Sequence, residues 1–196
     1  FTVPIFGGRR WTAISTASLL LPALGIGYAV QNPETPYGLF LALALLCGLG
    51  GGNFASSMAH ISFFFPKAKK GNALAINAGL GNLGVSLMQF LVPVVITAGV
   101  FGAIGGQGQL TTNGDLLFIQ NAGFIWVPFI LVSAVAAWFG MNDLASAKAS
   151  FAEQAVIFKR RHNWIMCLLY TGTFGSFIGF SAGFPLLAQS QFPEVN

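Results

Sequence analysis

Residues 73–101 read ALAINAGLGNLGVSLMQFLVPVVITAGVF. No charged side chain occurs between Lys70 and Asp115, so this stretch exceeds the roughly 20 apolar residues that a membrane-spanning helix needs. Yet its middle, NAGLGNLG at 77–84, holds two asparagines and three glycines, residue types that soluble chains place in turns. A lipid-exposed turn is excluded at that depth, because backbone groups there have no water to bond. The stretch therefore reads as a membrane helix whose polar residues face protein or a water-filled cavity. That reading decides the class of the whole chain.

Composition agrees. The 196 residues are 55% hydrophobic and 7% charged, with a mean hydropathy of +0.72, whereas a soluble domain carries about 25% charged residues. Five apolar stretches are long enough to span a bilayer: Trp11–Val30, Leu39–Phe65, Ala73–Phe101, Ala122–Met141 and Trp164–Ala188. Prolines interrupt the chain at 33 and 36, a charged connection runs over 66–71, a polar loop over 105–120, and the longest connection over 142–163. All nine basic residues (Arg9, Arg10, Lys67, Lys69, Lys70, Lys148, Lys159, Arg160 and Arg161) fall on alternate sides of these spans. By the positive-inside rule, 66–72 and 142–163 are cytoplasmic and 31–38 and 105–121 lie on the other side. The net charge of +4 thus reports orientation and does not indicate a nucleic-acid surface. Residues 1–8 lack the charged start and cleavage site of a signal peptide, and FTVPIF reads as the end of an earlier apolar segment, so we expect an internal portion of a longer chain. Within the long connection, Phe151–Phe158 has the pattern of a short amphipathic helix on the membrane surface.

Helical spacing groups the polar residues into stripes. Asn53, Ser56 or Ser57, and His60 share one face of the second span, and Asn82, Ser86 and Gln89 share one face of the third. Asn77 lies about 140° around the helix from Asn82. The last span carries Tyr170, Thr173, Phe174, Phe177 and Ser181 on one side. Two readings stand side by side for these residues. Asparagine, serine and glutamine join helices by hydrogen bonds, and small residues such as Gly48, Gly50, Gly51 and Gly52, or Gly71, Ala75 and Gly79, mark tight crossings. The same residues also suit the lining of a polar path.

Several chemistries are absent from the sequence. Apart from His60, the spans hold no ionisable residue except cysteine and tyrosine, so no chain of buried carboxylates or histidines is available as a proton relay. No acid–base pair or metal-ligand spacing is present, and Cys47 and Cys167 read as small apolar packing residues. We therefore expect no catalytic residues, no metal, no cofactor and no enzymatic activity.

The segment GGGNFASSMAHISFFFPKAKKGNALAINAGLGNLGVS, Gly50–Ser86, closely resembles the nitrate-signature region of the NarK-type nitrate/nitrite porters, a branch of the major facilitator superfamily. FGGRRW resembles the remnant of that superfamily's Gly/Arg-rich loop between its second and third helices. WVPF, AAWFGMNDL and GTFGSFIGFSAGF are similar to the corresponding parts of these porters. The resemblance implies an all-α polytopic membrane protein covering the end of helix 2 through helix 7 of a twelve-helix transporter. Residues 1–141 would belong to the N-terminal six-helix bundle, 142–163 to the cytoplasmic inter-bundle linker and 164–196 to the first helix of the C-terminal bundle.

It also implies a substrate. Nitrate is flat, and its charge is spread over three oxygens, so it suits in-plane donors and aromatic faces. NAGLGNLG is the first of the family's two signature motifs. It implies Asn82 as the principal substrate donor, an amide that donates without carrying a repelling charge, supported by Asn77, Gly79 and Gly81. Phe54, Tyr170 and Phe174 resemble the family's substrate-lining aromatics, while Gly50, Gly51, Gly52, Asn53, Gly71 and Gly84 belong to the motif's packing. The family's two anion-clamping arginines, in helices 2 and 8, have no match here; Arg9 and Arg10 stand in a loop. The expected partners are nitrate, nitrite, the bilayer and the remaining helices of the same transporter, in a bacterial inner membrane with the uncharged loops periplasmic. The expected activity is nitrate-in, nitrite-out exchange, with nitrate–proton symport as the alternative. A non-transporting structural subunit is the reading from another class.

Overall fold

A computed structural model describes residues 2–111, 114–143 and 148–192. Residues 112–113 of the expected outer loop, and 144–147 of the expected linker, lie outside the described residues. The chain divides into two compact units, Phe1–Lys148 and Ala149–Asn196, and the division falls within 142–163.

The first unit is built around one interrupted rod. Helix α1 (Thr2–Phe6) turns into α2 (Gly8–Ser18) at Gly7, whose φ of 89° belongs to the left-handed region that glycine adopts without a Cβ clash. Helix α3 (Leu20–Ala29) continues the line after a jog at Leu19. Pro22 explains the jog: it has no N–H for the Ser18 carbonyl, and Leu19 N–H instead bonds the Thr16 carbonyl at 3.1 Å. Together α2 and α3 make the first membrane-length element, Gly8–Ala29.

Helix α4 (Tyr37–Phe64) and helix α5 (Lys67–Ile96) follow, joined only by Phe65 and Pro66. The sequence reading of 66–71 as a charged connection is thereby corrected. Lys67, Lys69 and Lys70 lie in the first turns of α5, because Pro66 is a favourable entry residue and lysine is a good helix former. A hydropathy pattern registers only the apolar part of such a helix. At its other end α5 stops five residues earlier than expected: Ile96 is its last residue, and its carbonyl accepts Phe118 N–H at 2.7 Å.

The outer loop is more ordered than its composition suggested. A 3-10 turn at Gly102–Gly105 precedes strands β1 (Gln109–Leu110) and β2 (Leu116–Leu117), which pair antiparallel with Gln109 opposite Leu117 and Leu110 opposite Leu116. The two-residue strands leave the chain essentially all-α. Gln120 and Asn121, 0% and 1% exposed, lock this loop to the helices. Gln120 Nε2 donates to the Gly105 and Gln107 carbonyls at 2.9 and 3.1 Å. Asn121 Nδ2 donates to the Val95 and Ala98 carbonyls at 3.0 and 2.9 Å, tying the end of α5 to the next span.

That span is α6 (Asn121–Phe124) continued by α7 (Trp126–Gly140). It crosses α3 through glycines on both sides. A Cβ on Gly123 would stand 2.5 Å from the Ala23 carbonyl oxygen, and one on Gly27 would enter the Phe124 ring. Further along, α7 lies against α2 and α4 packs on the rod from another side.

The second unit contains α8 (Phe151–Ala155), a 3-10 turn at Val156–Lys159 and α9 (Arg161–Gln191). The amphipathic helix expected over 151–158 is thus an α-helical turn followed by a tighter one. Among the described residues, five helical elements are long and apolar enough to cross a membrane: Gly8–Ala29, Tyr37–Phe64, Lys67–Ile96, Asn121–Gly140 and Arg161–Gln191.

Candidate functional site

Helix α4 spends its polar stripe on the rod. Asn53 Nδ2 donates to Thr16 Oγ1 at 2.9 Å, and Trp11 Nε1 donates to Ser56 Oγ at 3.0 Å. His60, one turn further, is buried against Gly8, where a Cβ would collide with the imidazole. Asn53, Ser56 and His60 therefore join α4 to α2. Gly50 contributes to the same seam, with a Cβ position 2.7 Å from Leu19. Positions for a Cβ on Gly51 and Gly52 are open.

The neighbouring face of α4 meets α5. Asn77 Nδ2 donates to Ser57 Oγ at 3.2 Å and approaches Met58 Sδ at 3.3 Å. A Cβ on Gly81 would make ordinary contact with the Phe54 ring at 3.8 Å. Asn77, Gly81 and Phe54 thus come together on the α4–α5 seam, where the Asn77 amide already has protein partners.

The other side of α5 is open. Gly71, Ala75, Gly79, Asn82, Ser86, Gln89 and Pro93 follow one another at spacings of three or four, so they form one stripe along the helix. All of them are exposed. Asn82 lies at the middle of this stripe, and its carboxamide has no hydrogen-bond partner among the described residues. Nothing lies within 4 Å of a Cβ placed on Gly71, Gly79 or Gly84. What the stripe offers chemically is two amide N–H donors in one plane, flanked by surface that carries no side chain.

In the second unit, Tyr170 and Phe174 stand one turn apart on α9. Their rings stack at 5.4 Å with an interplanar angle of 8°, and Phe177 continues the row at 6.0 Å from Phe174. The hydroxyls beside them are satisfied within the helix: Thr173 bonds the Leu169 carbonyl at 3.0 Å and Ser181 the Phe177 carbonyl at 2.7 Å. The result is a row of aromatic rings, two stacked and the third tilted by 36°, with one phenol at its end.

One residue escaped the sequence reading. Asp143 accepts the Arg9 backbone N–H at 2.8 Å and pairs with the Arg9 guanidinium at 3.9 Å. Arg9 also lies over the Trp138 ring at 5.9 Å. Gly7, Gly8, Arg10, His60, Asp143 and Lys148 line a cavity of about 230 Å³ at this end of the unit. The signal was present in AAWFGMNDL, where Asp143 follows a span at a basic boundary. Nothing local says which cation it meets. Among the described residues, no group of three or more His, Cys, Asp or Glu is placed to hold a metal.

No protein-family model matches the chain. Curated relatives do. All 196 residues align with nitrate/nitrite transporter NarU of Salmonella typhimurium at 59% identity, and with NarU of Escherichia coli at 58%. A probable nitrate/nitrite antiporter, NarK2 of Thermus thermophilus, is 46% identical over the whole chain. The chain spans 42% of the length of the two NarU proteins and 45% of the Thermus protein.

Proposed function

The chain belongs to the family of NarK- and NarU-type nitrate/nitrite transporters, and we propose that a full-length protein carrying it moves nitrate inward and nitrite outward across the bacterial inner membrane by alternating access. The observation that carries this reading is the 58–59% identity to NarU along every residue of the chain. The relatives are named as transporters, so we read the protein as a transporter and not an enzyme. The name of the Thermus relative, an antiporter, supports exchange over symport. So does the lack of buried carboxylates in the five membrane-length helices.

In this reading, the stripe on α5 is a substrate-facing surface of the first unit, and the aromatic row on α9 is, taken by itself, a substrate-facing surface of the second. Asn82 offers in-plane amide donors to a flat anion, and Tyr170 and Phe174 offer aromatic surface and a phenol donor. Gly79 keeps the surface beside Asn82 low, and Gly71 and Gly84 leave room for neighbouring helices. Asn77 takes a different role from the one first expected. Its amide is engaged with Ser57, so it holds α5 against α4, with Gly81 and Phe54, and sets the direction in which Asn82 points. Residues 1–141 then form part of one helical bundle, 142–163 the cytoplasmic linker and 164–196 the start of the second bundle.

The test is uptake of labelled nitrate by the full-length protein in proteoliposomes, at equal pH on both sides, with and without nitrite inside. Uptake that requires internal nitrite is the expected result. Uptake without internal nitrite, increased when the assay is repeated with an imposed pH gradient, replaces exchange with symport. No uptake under either condition overturns the transport reading.

A further inference from the structure

The corner that leads into α9 carries features that transport does not use. Ser150 and Glu153 form a capping box: Glu153 N–H donates to Ser150 Oγ at 3.3 Å, and Ser150 N–H donates to Glu153 Oε2 at 2.7 Å. This box starts α8 at Phe151 and directs its polar side toward Glu153. Three residues and one turn later the chain closes on itself. Trp164 Nε1, in the first turn of α9, donates to the Phe158 carbonyl at 2.9 Å, with the two rings 6.2 Å apart. The segment from Phe151 to Lys159 is therefore fastened to the entry of a membrane-length helix.

What this fastened corner displays is apolar and basic together. Phe151, Val156, Ile157, Phe158 and Trp164 are each between 45% and 61% exposed. Lys159, Arg160 and Arg161 follow directly and are exposed as well. Water is a poor neighbour for that many large apolar side chains, and a bilayer interior is a poor one for three adjacent cations. The boundary between them satisfies both, and α9 is long and apolar enough to enter a membrane from it.

We infer that residues 151–164 form an interfacial anchor that docks on acidic phospholipid of the leaflet where α9 enters. Phe151, Ile157 and Phe158 enter the acyl boundary, and Lys159, Arg160 and Arg161 engage the anionic headgroups. The inference rests on reading α9 as a membrane span and is independent of what the protein transports. Apolar insertion supplies part of the affinity, and the cations supply the part that depends on headgroup charge. Three cations acting on an acidic surface shift the docking equilibrium by on the order of a hundredfold.

The experiment uses the full-length protein with its cysteines, including Cys47 and Cys167, replaced by alanine. Single cysteines at Phe158→Cys, Glu153→Cys and Ser176→Cys are labelled with an environment-sensitive fluorophore. Each protein is reconstituted in vesicles of phosphatidylcholine alone, or of phosphatidylcholine with an equal part of phosphatidylglycerol, and quenched with neutral acrylamide. The expected result is a label at 158 that is several-fold less quenched with phosphatidylglycerol than without it. The label at 153 stays accessible in both, and the label at 176, within α9, stays protected in both. Equal, high quenching at 158 in the two lipids overturns the anchor while leaving α9 as a span. Equal protection at 158 in both overturns the part assigned to acidic headgroups. Free access at 176 overturns the span, and the anchor with it.

Discussion

Helices α4 and α5 carry the same kind of polar residues at the same helical spacing, and the structure uses them in opposite ways. On α4, Asn53, Ser56 and His60 are each engaged with α2. On α5, Asn82 sits in an exposed stripe with no hydrogen-bond partner among the described residues. An asparagine in a membrane helix is therefore not a functional marker by its identity. Among the described residues, an amide with a partner on the neighbouring helix joins helices, and the proposed binding role falls to the one that has none. Asn77 makes the point within a single motif: it lies five residues from Asn82, yet it faces Ser57 and belongs to the joining class.

The largest expected effect comes from breaking the scaffold on which both stripes depend. Gly123→Leu places a side chain against the Ala23 carbonyl, a backbone atom that cannot swing away. A cost of about 3 kcal/mol or more is expected from such overpacking. It should appear as loss of folded, monodisperse protein in detergent; normal yield and melting would show that α3 and α6 can separate there.

Next is the contrast itself. Asn82→Ala should leave melting unchanged while weakening nitrate binding by on the order of tenfold to a hundredfold, the worth of a hydrogen bond to a charged ligand. Measurement of affinity and thermal stability on the same preparation separates the two. A fall in stability without a change in affinity would move Asn82 to the joining class.

Asn53→Ala should show the reverse pattern at smaller size. Loss of its bond to Thr16 is expected to cost about 0.6 kcal/mol, and no more than about 1.7, the range for interhelical bonds in membranes. The melting temperature should drop while the affinity of the folded protein stays within twofold of the parent, taken as roughly the scatter of such comparisons. A selective loss of affinity would make the α4 stripe part of the path.

The smallest effect concerns α8. The Ser150 backbone N–H, and then its hydroxyl, hold the Glu153 carboxyl below its ordinary range. A lowered folded-state value means that this contribution is present above the ordinary glutamate value and is lost as pH falls through the folded one. Glu153 is fully exposed, so only local fraying of α8 is expected. A spin label at Phe151→Cys should gain mobility on acidification, and Glu153→Gln should remove that pH dependence. A pH response that persists in the glutamine variant would assign it to another group.

Much of this was legible in the residues, and the misses have definite causes. The five spans follow from hydropathy, which is summed over many positions and so insensitive to any one contact; the placement of nine basic residues predicts their orientation in the same summed way. Element ends were read less well. The lysines at the start of α5 are helical despite their polarity, and the end of that helix depends on a bond from Phe118, which comes from beyond the loop. The pairing of β1 with β2 has a local cue in the Asn-Gly dipeptide at 113–114, a common turn signal, set in a loop whose composition otherwise says only that it is polar. The cue for Asp143 is its place after a span at a basic boundary, but its partner cannot be read locally, since Arg9 is 134 residues away.

By itself, then, the sequence pointed to the family through its signature motif, and determined the number and polarity of the membrane-length helices. These depend on composition and on periodicity along single helices, quantities contained in short windows of chain. It also determined that Asn77 and Asn82 point about 140° apart, since that angle is a property of helical repeat alone. Which of the two turns toward α4 was decided only by tertiary structure. The rotation of a helix about its axis is set by the neighbours it packs against, through contacts such as Gly81 with Phe54 and Asn77 with Ser57.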